Sequence, residues 1–169
     1  VGAGLCHSDL SVVDGSRPRQ MPMVMGHEAS GIVREAGAEV TDFVEGDHVV
    51  FSFVPVCGCC SYCISGRGAL CEPGARANIA GTLLSGSRPF TDSKSTACNQ
   101  HLGVSAFSQF TVASQESLIK IDKSIPLARA ALFGCAVMTG VGAVVNTARV
   151  APGQSVAIFG MGGVGLSAI

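Results

Sequence analysis

The densest group of reactive side chains is a run of five cysteines between positions 57 and 71. Four of them follow the spacing C-x2-C-x2-C-x7-C, namely Cys57, Cys60, Cys63 and Cys71. Four thiolates from one loop suit a tetrahedral Zn²⁺ ion, whose closed coordination stabilises a fold and leaves no position for a substrate. An iron–sulfur cluster is the alternative, although the ferredoxin run has a fourth spacing of three residues rather than seven. Disulfides are disfavoured because no secretory signal accompanies the cysteines. Cys59 is then a free thiol beside the site.

A second set of possible metal ligands is scattered along the chain, in the segments Cys6-His7-Ser8-Asp9, Gly26-His27-Glu28 and Gly134-Cys135. Each segment alone indicates little, because a single cysteine is usually a small buried side chain. Together the segments could supply a thiolate, an imidazole and a second thiolate to one ion. The fourth position of that ion would stay open for water or a substrate, as in catalytic zinc sites.

A glycine-rich turn follows the apolar run SVAIF near the end of the chain. In GMGGVG, the residues Gly160, Gly162 and Gly165 fit G-x-G-x-x-G, in which the glycines allow a tight turn, an approaching pyrophosphate and close packing of helix on strand. The acidic residue that selects NAD over NADP is expected about twenty residues further on. That position lies beyond Ile169, so the motif does not decide between the two cofactors.

Short β-type runs and turns must position these groups. The runs GIVREAG, GDHVVFSFV, FSQFTVAS and SLIKI predict an irregular, mostly β domain up to about residue 125. Residues 75–100 are polar and glycine-rich, which predicts a loop. Pro126 opens an alanine-rich stretch that predicts a helix interrupted at Gly134 and Gly140. SVAIFG and MGGVGLSAI then predict the first strand, turn and helix of a doubly wound nucleotide-binding domain.

Composition argues against some classes of function. The net charge is −1 and only 14% of residues are charged, so nothing favours nucleic acid or an anionic membrane surface. Residues 130–148 are uncharged for nineteen positions, a length that could cross a bilayer. Their glycine, threonine and asparagine content favours a buried helix instead.

In this order and at these intervals, GHEASGIVREAG, the four-cysteine loop, GCAVMTG and GMGGVG resemble the zinc-dependent alcohol dehydrogenases of the medium-chain dehydrogenase/reductase family. The resemblance extends from Gly2 to Ile169. It implies a mixed α and β fold, with a GroES-like, mostly β catalytic domain over residues 1–135. Residues 136–169 would form a connecting helix and the start of a truncated Rossmann NAD-binding domain. Because the chain opens on Val1 and stops within an expected helix, we expect it to be a fragment.

The resemblance also implies roles for single residues. Catalytic zinc would be held by Cys6, His27 and Cys135, and structural zinc by Cys57, Cys60, Cys63 and Cys71, giving two zinc ions per chain. Asp9 would orient His27, as metal-bound imidazoles usually donate their other N–H to an acceptor, and Glu28 would lie close to the metal or serve as a structural carboxylate. Ser8 would receive the alcohol proton. The substrate pocket would include Phe53 and Leu102. Contacts to the cofactor would come from His7, Thr139, Gly160, Gly162, Gly163, Val164 and Gly165. For Phe53, Leu102, Thr139 and Val164, a role in ordinary core packing is the alternative.

The implied reaction is reversible oxidation of an alcohol to an aldehyde or ketone, with hydride transfer to NAD, NADP not being excluded. Ser11 stands where well-known relatives have a relay histidine, so the proton path must end differently here. Arg17 replaces an acidic residue of the glutathione-dependent formaldehyde dehydrogenases, which disfavours but does not exclude S-(hydroxymethyl)glutathione as substrate. A zinc-stabilised remnant without catalysis is the second alternative. A cytoplasmic homodimer or homotetramer acting on a small alcohol or aldehyde is expected, and Cys98 is given no role.

Overall fold

Two small β-sheets frame the chain up to residue 120 in the computed structural model, which describes residues 1–169. The strands are β1 (Gly2–Gly4), β2 (Met23–Val24), β3 (Glu28–Ile32), β4 (His48–Phe51), β5 (Phe90–Thr91), β6 (Ala97–Gln100) and β7 (Leu118–Lys120). The larger sheet has the order β1-β3-β4-β7 and is antiparallel throughout. The smaller sheet has the order β2-β6-β5, in which β2 and β6 run parallel.

A small hydrophobic core covers one face of the larger sheet. It consists of Ala29 from β3, Val49 and Phe51 from β4, and Phe43 and Val104 from the flanking segments. The β-branched and aromatic residues of β4 suit a pleated, buried strand. Each fully buried Val or Phe side chain contributes about 1.5–3 kcal/mol relative to an exposed one. This core therefore fixes the sheet from which the ligand-bearing segments extend.

Six short helices connect and flank the sheets. They are α1 (His7–Val13), α2 (Ser61–Ile64), α3 (Glu72–Ala80), α4 (Leu127–Ala130), α5 (Ala136–Gly142) and α6 (Gly163–Ser167). Three 3-10 segments (Gly68–Leu70, Gln115–Ser117, Ala131–Gly134) and a π-helical segment (Ala143–Ala148) complete the elements. The chain is mixed α and β, as the sequence predicts.

The helical region after Pro126 is broken at one of the two predicted places. The 3-10 turn ends at Gly134, and Cys135 leaves helical geometry with φ −142° and ψ −71° before α5 begins. Gly140, by contrast, lies inside α5. No single helix is long and apolar enough to cross a membrane, but the bent pair Leu127–Gly134 and Ala136–Ala148, joined at 51°, meets the criteria of length and composition.

The prediction of a loop over residues 75–100 is wrong in part. Most of α3 and all of β5 and β6 lie there. Helix α3 begins where Cys71 caps it, with Glu72 in its first turn and a proline at its start. Proline there has a preset φ and loses no helical hydrogen bond, and a carboxylate there complements the helix dipole. The polar composition of residues 75–100 gave no sign of this helix, because its capping residue, its acidic residue and its proline all lie before position 75.

Two predicted strands are not paired in the structure. Residues 107–114, FSQFTVAS, form bends and irregular backbone. Residues 155–159, SVAIF, also join no sheet, and Phe159 is 96% exposed. A strand is defined by its hydrogen-bonded neighbour, so an apolar run without such a neighbour forms no strand.

Candidate metal centres

The four predicted loop cysteines converge on one point. Cys57, Cys60, Cys63 and Cys71 place their sulfur atoms within 4.8 Å of one another. The sulfur of Cys63 lies 3.9 Å from that of Cys57 and 3.4 Å from that of Cys60. A tetrahedral zinc site with Zn–S bonds of about 2.3 Å requires sulfur separations of about 3.8 Å. The donor set and its spacing therefore fit zinc.

Backbone N–H groups point at these sulfur atoms. The amide of Cys57 donates to Cys71 Sγ at 3.3 Å, and the amide of Cys60 donates to Cys57 Sγ at 3.4 Å. The amide of Gly74 donates to Cys71 Sγ at 3.4 Å, at the beginning of α3. Hydrogen bonds to a charged acceptor stabilise it. The loop is built to hold thiolates rather than neutral thiols.

The pKa values of the loop cysteines differ in direction. Hydrogen bonds from the backbone amides of Cys59 and Cys60 lower the pKa of Cys57 to about 6. Burial, and then the hydrogen bond with Cys60, raise the pKa of Cys63 to about 12. Closely packed thiols cannot all ionise without a counter-charge. A divalent cation at this point would supply that charge.

Two of the eight cysteines, Cys59 and Cys98, are not among the convergent ligands. Cys59 is exposed, with its sulfur 3.7 Å from that of Cys57. Cys98 is buried on β6 and its thiol donates to the carbonyl of Thr96 at 3.7 Å. Neither belongs to a group of convergent ligands.

A second group of ligands comes from three distant segments. Cys6, His27, Glu28 and Cys135 place one donor atom each within 4.8 Å of one another. Cys6 caps the start of α1, His27 and Glu28 lie at the start of β3, and Cys135 follows the 3-10 turn that ends at Gly134. Two thiols and an imidazole form the Cys₂His donor set known for catalytic zinc, so this site also fits zinc. Glu28 is a fourth donor within the group.

Asp9 connects α1 to His27. Its Oδ1 lies 3.1 Å from Nδ1 of His27, and its Oδ2 accepts the amide hydrogen of Cys6 at 3.3 Å. Burial opposes ionisation of Asp9, but the contacts with the rings of His101 and His27 outweigh it and hold the pKa of Asp9 far below its usual range. The carboxylate is therefore charged, and Nδ1 of His27 carries the hydrogen. That tautomer leaves Nε2 of His27 with a lone pair for a metal.

Cys135 is held protonated in the absence of a cation. Burial raises the pKa of its thiol to about 12, and the nearby carboxylate of Glu28 and thiol of Cys6 add to that effect. A hydrogen bond with Thr139 acts in the opposite direction. A positive ion among these groups would reverse the balance, because it favours the charged form of each ligand.

The first turn of α1 carries the predicted proton-handling group. Ser8 is partly buried, and its amide donates to Cys6 Sγ at 3.5 Å. His7 is exposed beside it. The hydroxyl of Ser11 donates to the carbonyl of His7 at 3.0 Å, so this hydroxyl is bonded within its own helix.

Phe53 and Leu102, predicted to line the substrate pocket, and Thr139, predicted to contact the cofactor, differ in their surroundings. The Phe53 ring meets the His27 ring edge-on, with centroids 6.0 Å apart. Leu102 is partly buried and follows His101, with a φ of 54° that is unusual for a bulky residue. Thr139 is exposed, but its side chain forms a hydrogen bond with the thiol of Cys135.

His101 was missed by the reasoning from sequence. Its side chain is 2% exposed, and its Nδ1 lies 3.2 Å from the same Asp9 oxygen that His27 contacts. A lone histidine after a polar stretch carries no motif, so no signal in the sequence marked it.

The glycine-rich turn leads into α6, which packs along α5, and a Cβ on Gly163 would lie 3.2 Å from the Cβ of Ala136. Gly160 takes a φ of 94°, Gly162 caps α6, and Gly163 and Val164 form its first turn. A Cβ on Gly165 would overlap the carbonyl oxygen of Gly160. The turn is therefore tight enough to require glycine at its last motif position.

Comparison with known proteins identifies the family of this chain. Residues 1–123 match the family model described as alcohol dehydrogenase GroES-like domain. The chain is 43% identical over 167 residues to a Mycobacterium tuberculosis protein named "Putative alcohol dehydrogenase D", an alignment covering 99% of this chain and 45% of that protein.

Two crystal structures are similar over 99% of this chain and 45% of their own chains. One is an alcohol dehydrogenase zinc-binding domain protein from Burkholderia ambifaria, with 37% identity and a TM-score of 0.91. The other is benzyl alcohol dehydrogenase from Acinetobacter calcoaceticus, with 35% identity and a TM-score of 0.84. The chain thus spans less than half the length of these relatives. Because the family model matches residues 1–123, the chain belongs to the family of alcohol dehydrogenase GroES-like domains.

Proposed function

We propose that this chain forms the zinc-binding catalytic part of an alcohol dehydrogenase that oxidises a small alcohol reversibly to an aldehyde or ketone, with NAD or NADP as hydride acceptor. The observation that carries the proposal is the convergence of Cys6, His27 and Cys135, which lie up to 129 positions apart in the chain. Family membership and the alcohol dehydrogenases among its relatives support the reaction class.

The three ligands would hold a zinc ion, which supplies Lewis-acid chemistry by lowering the pKa of an alcohol hydroxyl group. Cys6 and Cys135 bring negative charge to the site and His27 brings a neutral donor. Asp9 fixes the ring orientation of His27 through the 3.1 Å contact, a support that usually raises metal affinity. Glu28, buried beside Cys135, adds a carboxylate that is available as a further donor.

Ser8 is the group in this proposal that moves a proton. A hydroxyl can accept one hydrogen bond while donating another, so Ser8 Oγ can take the alcohol proton and release its own towards solvent. Its partly exposed position on the first turn of α1 suits that role. Because the Ser11 hydroxyl donates to the His7 carbonyl, the proton path continues through water beside α1 rather than through a side chain at position 11.

The glycine-rich turn is proposed as the cofactor contact. Gly162 has open space around it, which suits a pyrophosphate close to the backbone. His7 and Thr139, together with Gly163 and Val164, complete the proposed contacts. Phe53 and Leu102 are proposed to line the alcohol pocket beside His27.

The four-cysteine loop is proposed to hold a second, structural zinc. Cys57, Cys60, Cys63 and Cys71 leave no open position around an ion, so this site contributes stability rather than chemistry.

Replacement of Cys135 by serine in the purified full-length protein tests the proposal. We expect the variant to lose about one of two zinc ions per chain and to lose alcohol oxidation. Cys98→Ser is the control, since Cys98 is likewise a free cysteine but lies outside both ligand groups. Full zinc content and unchanged turnover in Cys135→Ser would refute the assignment.

A further inference from the structure

We propose that His101 is a positioning residue of the Cys6, His27 and Cys135 site, where it fixes the orientation of Asp9 and through it the ring of His27. The inference deepens the proposed function and rests on it. Its basis is one shared atom: Nδ1 of His27 and Nδ1 of His101 lie 3.1 and 3.2 Å from the same Oδ1 of Asp9.

The parallel pairing of β2 with β6 brings the two histidines together. Met23 pairs with Asn99 and Val24 with Gln100, so the chain leaves both strands at the same edge. His101 follows directly after β6, and His27 comes three residues after β2. The rings meet edge-on with centroids 5.6 Å apart. Sheet register, rather than a local motif, sets this contact.

The turn after His101 is anchored back to β2. The amide of His101 donates to the hydroxyl of Ser105 at 2.9 Å, and that hydroxyl donates to the carbonyl of Val24 at 2.8 Å. Leu102 and Ser105 take φ values of 54° and 51° in this turn. Left-handed backbone costs about 1–2 kcal/mol for each such residue. A turn that retains two costly conformations holds His101 in place, and strain of this kind is concentrated at functional sites.

The chemistry of the contact assigns a role to His101. Its Nδ1 is buried, and the direction to Asp9 is too oblique for an ideal hydrogen bond, yet no other acceptor is present. A bare nitrogen lone pair facing a carboxylate would be repelled, so Nδ1 carries the hydrogen. Asp9 is then held by three N–H groups, those of His27 and His101 on Oδ1 and that of Cys6 on Oδ2. Three fixed donors define the plane of the carboxylate.

The same three side chains could instead bind a metal ion between them, because Asp9, His27 and His101 also converge within 4.8 Å. We favour hydrogen bonding, since all three side chains are at least 94% buried and three donors alone are fewer than the four ligands that zinc takes. The two explanations differ in the number of metal ions bound per chain.

The test compares His101→Asn with His101→Leu in the full-length protein. Asn and Leu have similar shapes, but the Asn side-chain amide can donate from nearly the position of Nδ1, whereas Leu cannot. We expect His101→Leu to weaken zinc binding at the Cys6, His27 and Cys135 site by about 10-fold or more, the usual cost of losing a residue that supports a metal ligand. His101→Asn should recover most of that loss. Competition with a chromophoric chelator measures affinity, and the visible spectrum of the cobalt-substituted protein reports ligand geometry.

His48→Leu is the control, since Nδ1 of His48 is also buried without a partner but lies outside every ligand group. It should leave both readouts unchanged. Wild-type affinity and an unchanged cobalt spectrum in His101→Leu would overturn the inference. So would equal losses in the Leu and Asn variants, or a third metal ion that disappears with His101. A wild-type protein with only the four-cysteine zinc would instead refute the proposed function itself.

Discussion

Gly134 packs so closely against Phe51 that a Cβ at position 134 would overlap the Phe51 carbonyl oxygen. Gly134 ends the 3-10 turn that precedes Cys135, and Phe51 ends β4. The absence of a side chain at one position thus determines how near Cys135 comes to the sheet that carries His27.

Gly134→Ala should displace the Cys135 segment. Overpacking of this kind costs about 1–3 kcal/mol, and the displaced thiol should release zinc from the Cys6, His27 and Cys135 site. Gly142→Ala is the control, because its Cβ would meet only Asn146 at 3.9 Å and alanine favours helix over glycine by up to about 1 kcal/mol. Thermal unfolding and zinc analysis measure both effects. A Gly134→Ala protein with normal zinc and stability would contradict the steric argument.

Cys60→Ser and Cys59→Ser should behave differently although the residues are adjacent. Cys60 belongs to the convergent group and Cys59 does not. We expect Cys60→Ser to lose about one zinc and to unfold about 5–10 °C lower, because loss of a metal is among the few single changes that cost several kcal/mol. Cys59→Ser should keep both zinc content and melting temperature. Loss of zinc in Cys59→Ser would show that the fifth thiol is a ligand.

The ion pair between Asp47 and Lys120 should stabilise the sheet in a pH-dependent way. Lys120 Nζ lies 2.7 Å from Asp47 Oδ2, which also accepts the amide hydrogen of Val44 at 2.9 Å. These contacts, the Lys120 bond first, lower the pKa of Asp47. A lowered folded-state pKa adds stability that is fully present above the unfolded-state value of about 3.9 and is lost as pH falls through the folded-state value.

A double-mutant cycle measures this effect. Asp47→Asn, Lys120→Met and the double variant should show a favourable coupling in urea unfolding at pH 7, and the coupling should shrink below about pH 4. Loss of zinc in acid affects all four proteins and cancels in the cycle. A coupling energy that increases as the pH falls would contradict a lowered pKa of Asp47.

Two glycines of the nucleotide turn should separate binding from folding. Gly162 has a φ of −79° and no atom near its missing Cβ, so Gly162→Ala should fold normally and bind NAD or NADP more weakly. Gly165→Ala should lower stability, since its Cβ would overlap the Gly160 carbonyl oxygen. Calorimetric titration of the full-length protein with each cofactor, beside thermal unfolding, distinguishes the two outcomes. Equal cofactor affinity in Gly162→Ala and wild type would argue against the proposed pyrophosphate contact.

The sequence was sufficient to predict a site when all of its residues lie close together in the chain. The spacing from Cys57 to Cys71 lies within one loop, so the convergence of four thiols follows from a short chain, and the glycine turn is similarly defined by six residues. Elements that need a partner were harder to predict. SVAIF has an apolar strand pattern but no neighbouring strand to pair with, whereas helix α3 was missed because its polar composition outweighed the local signals at its start.

The sequence by itself determined which atoms could bind metal, namely the thiols, imidazoles and carboxylates and their order along the chain. Only the tertiary structure decided that Cys6, His27 and Cys135 meet, and that His101 shares an oxygen of Asp9 with His27. The physical reason is the sequence separation of these contacts. They depend on the register of β2 with β6 and on a close approach at Gly134, which arise from packing across the whole chain rather than from any local pattern of residues.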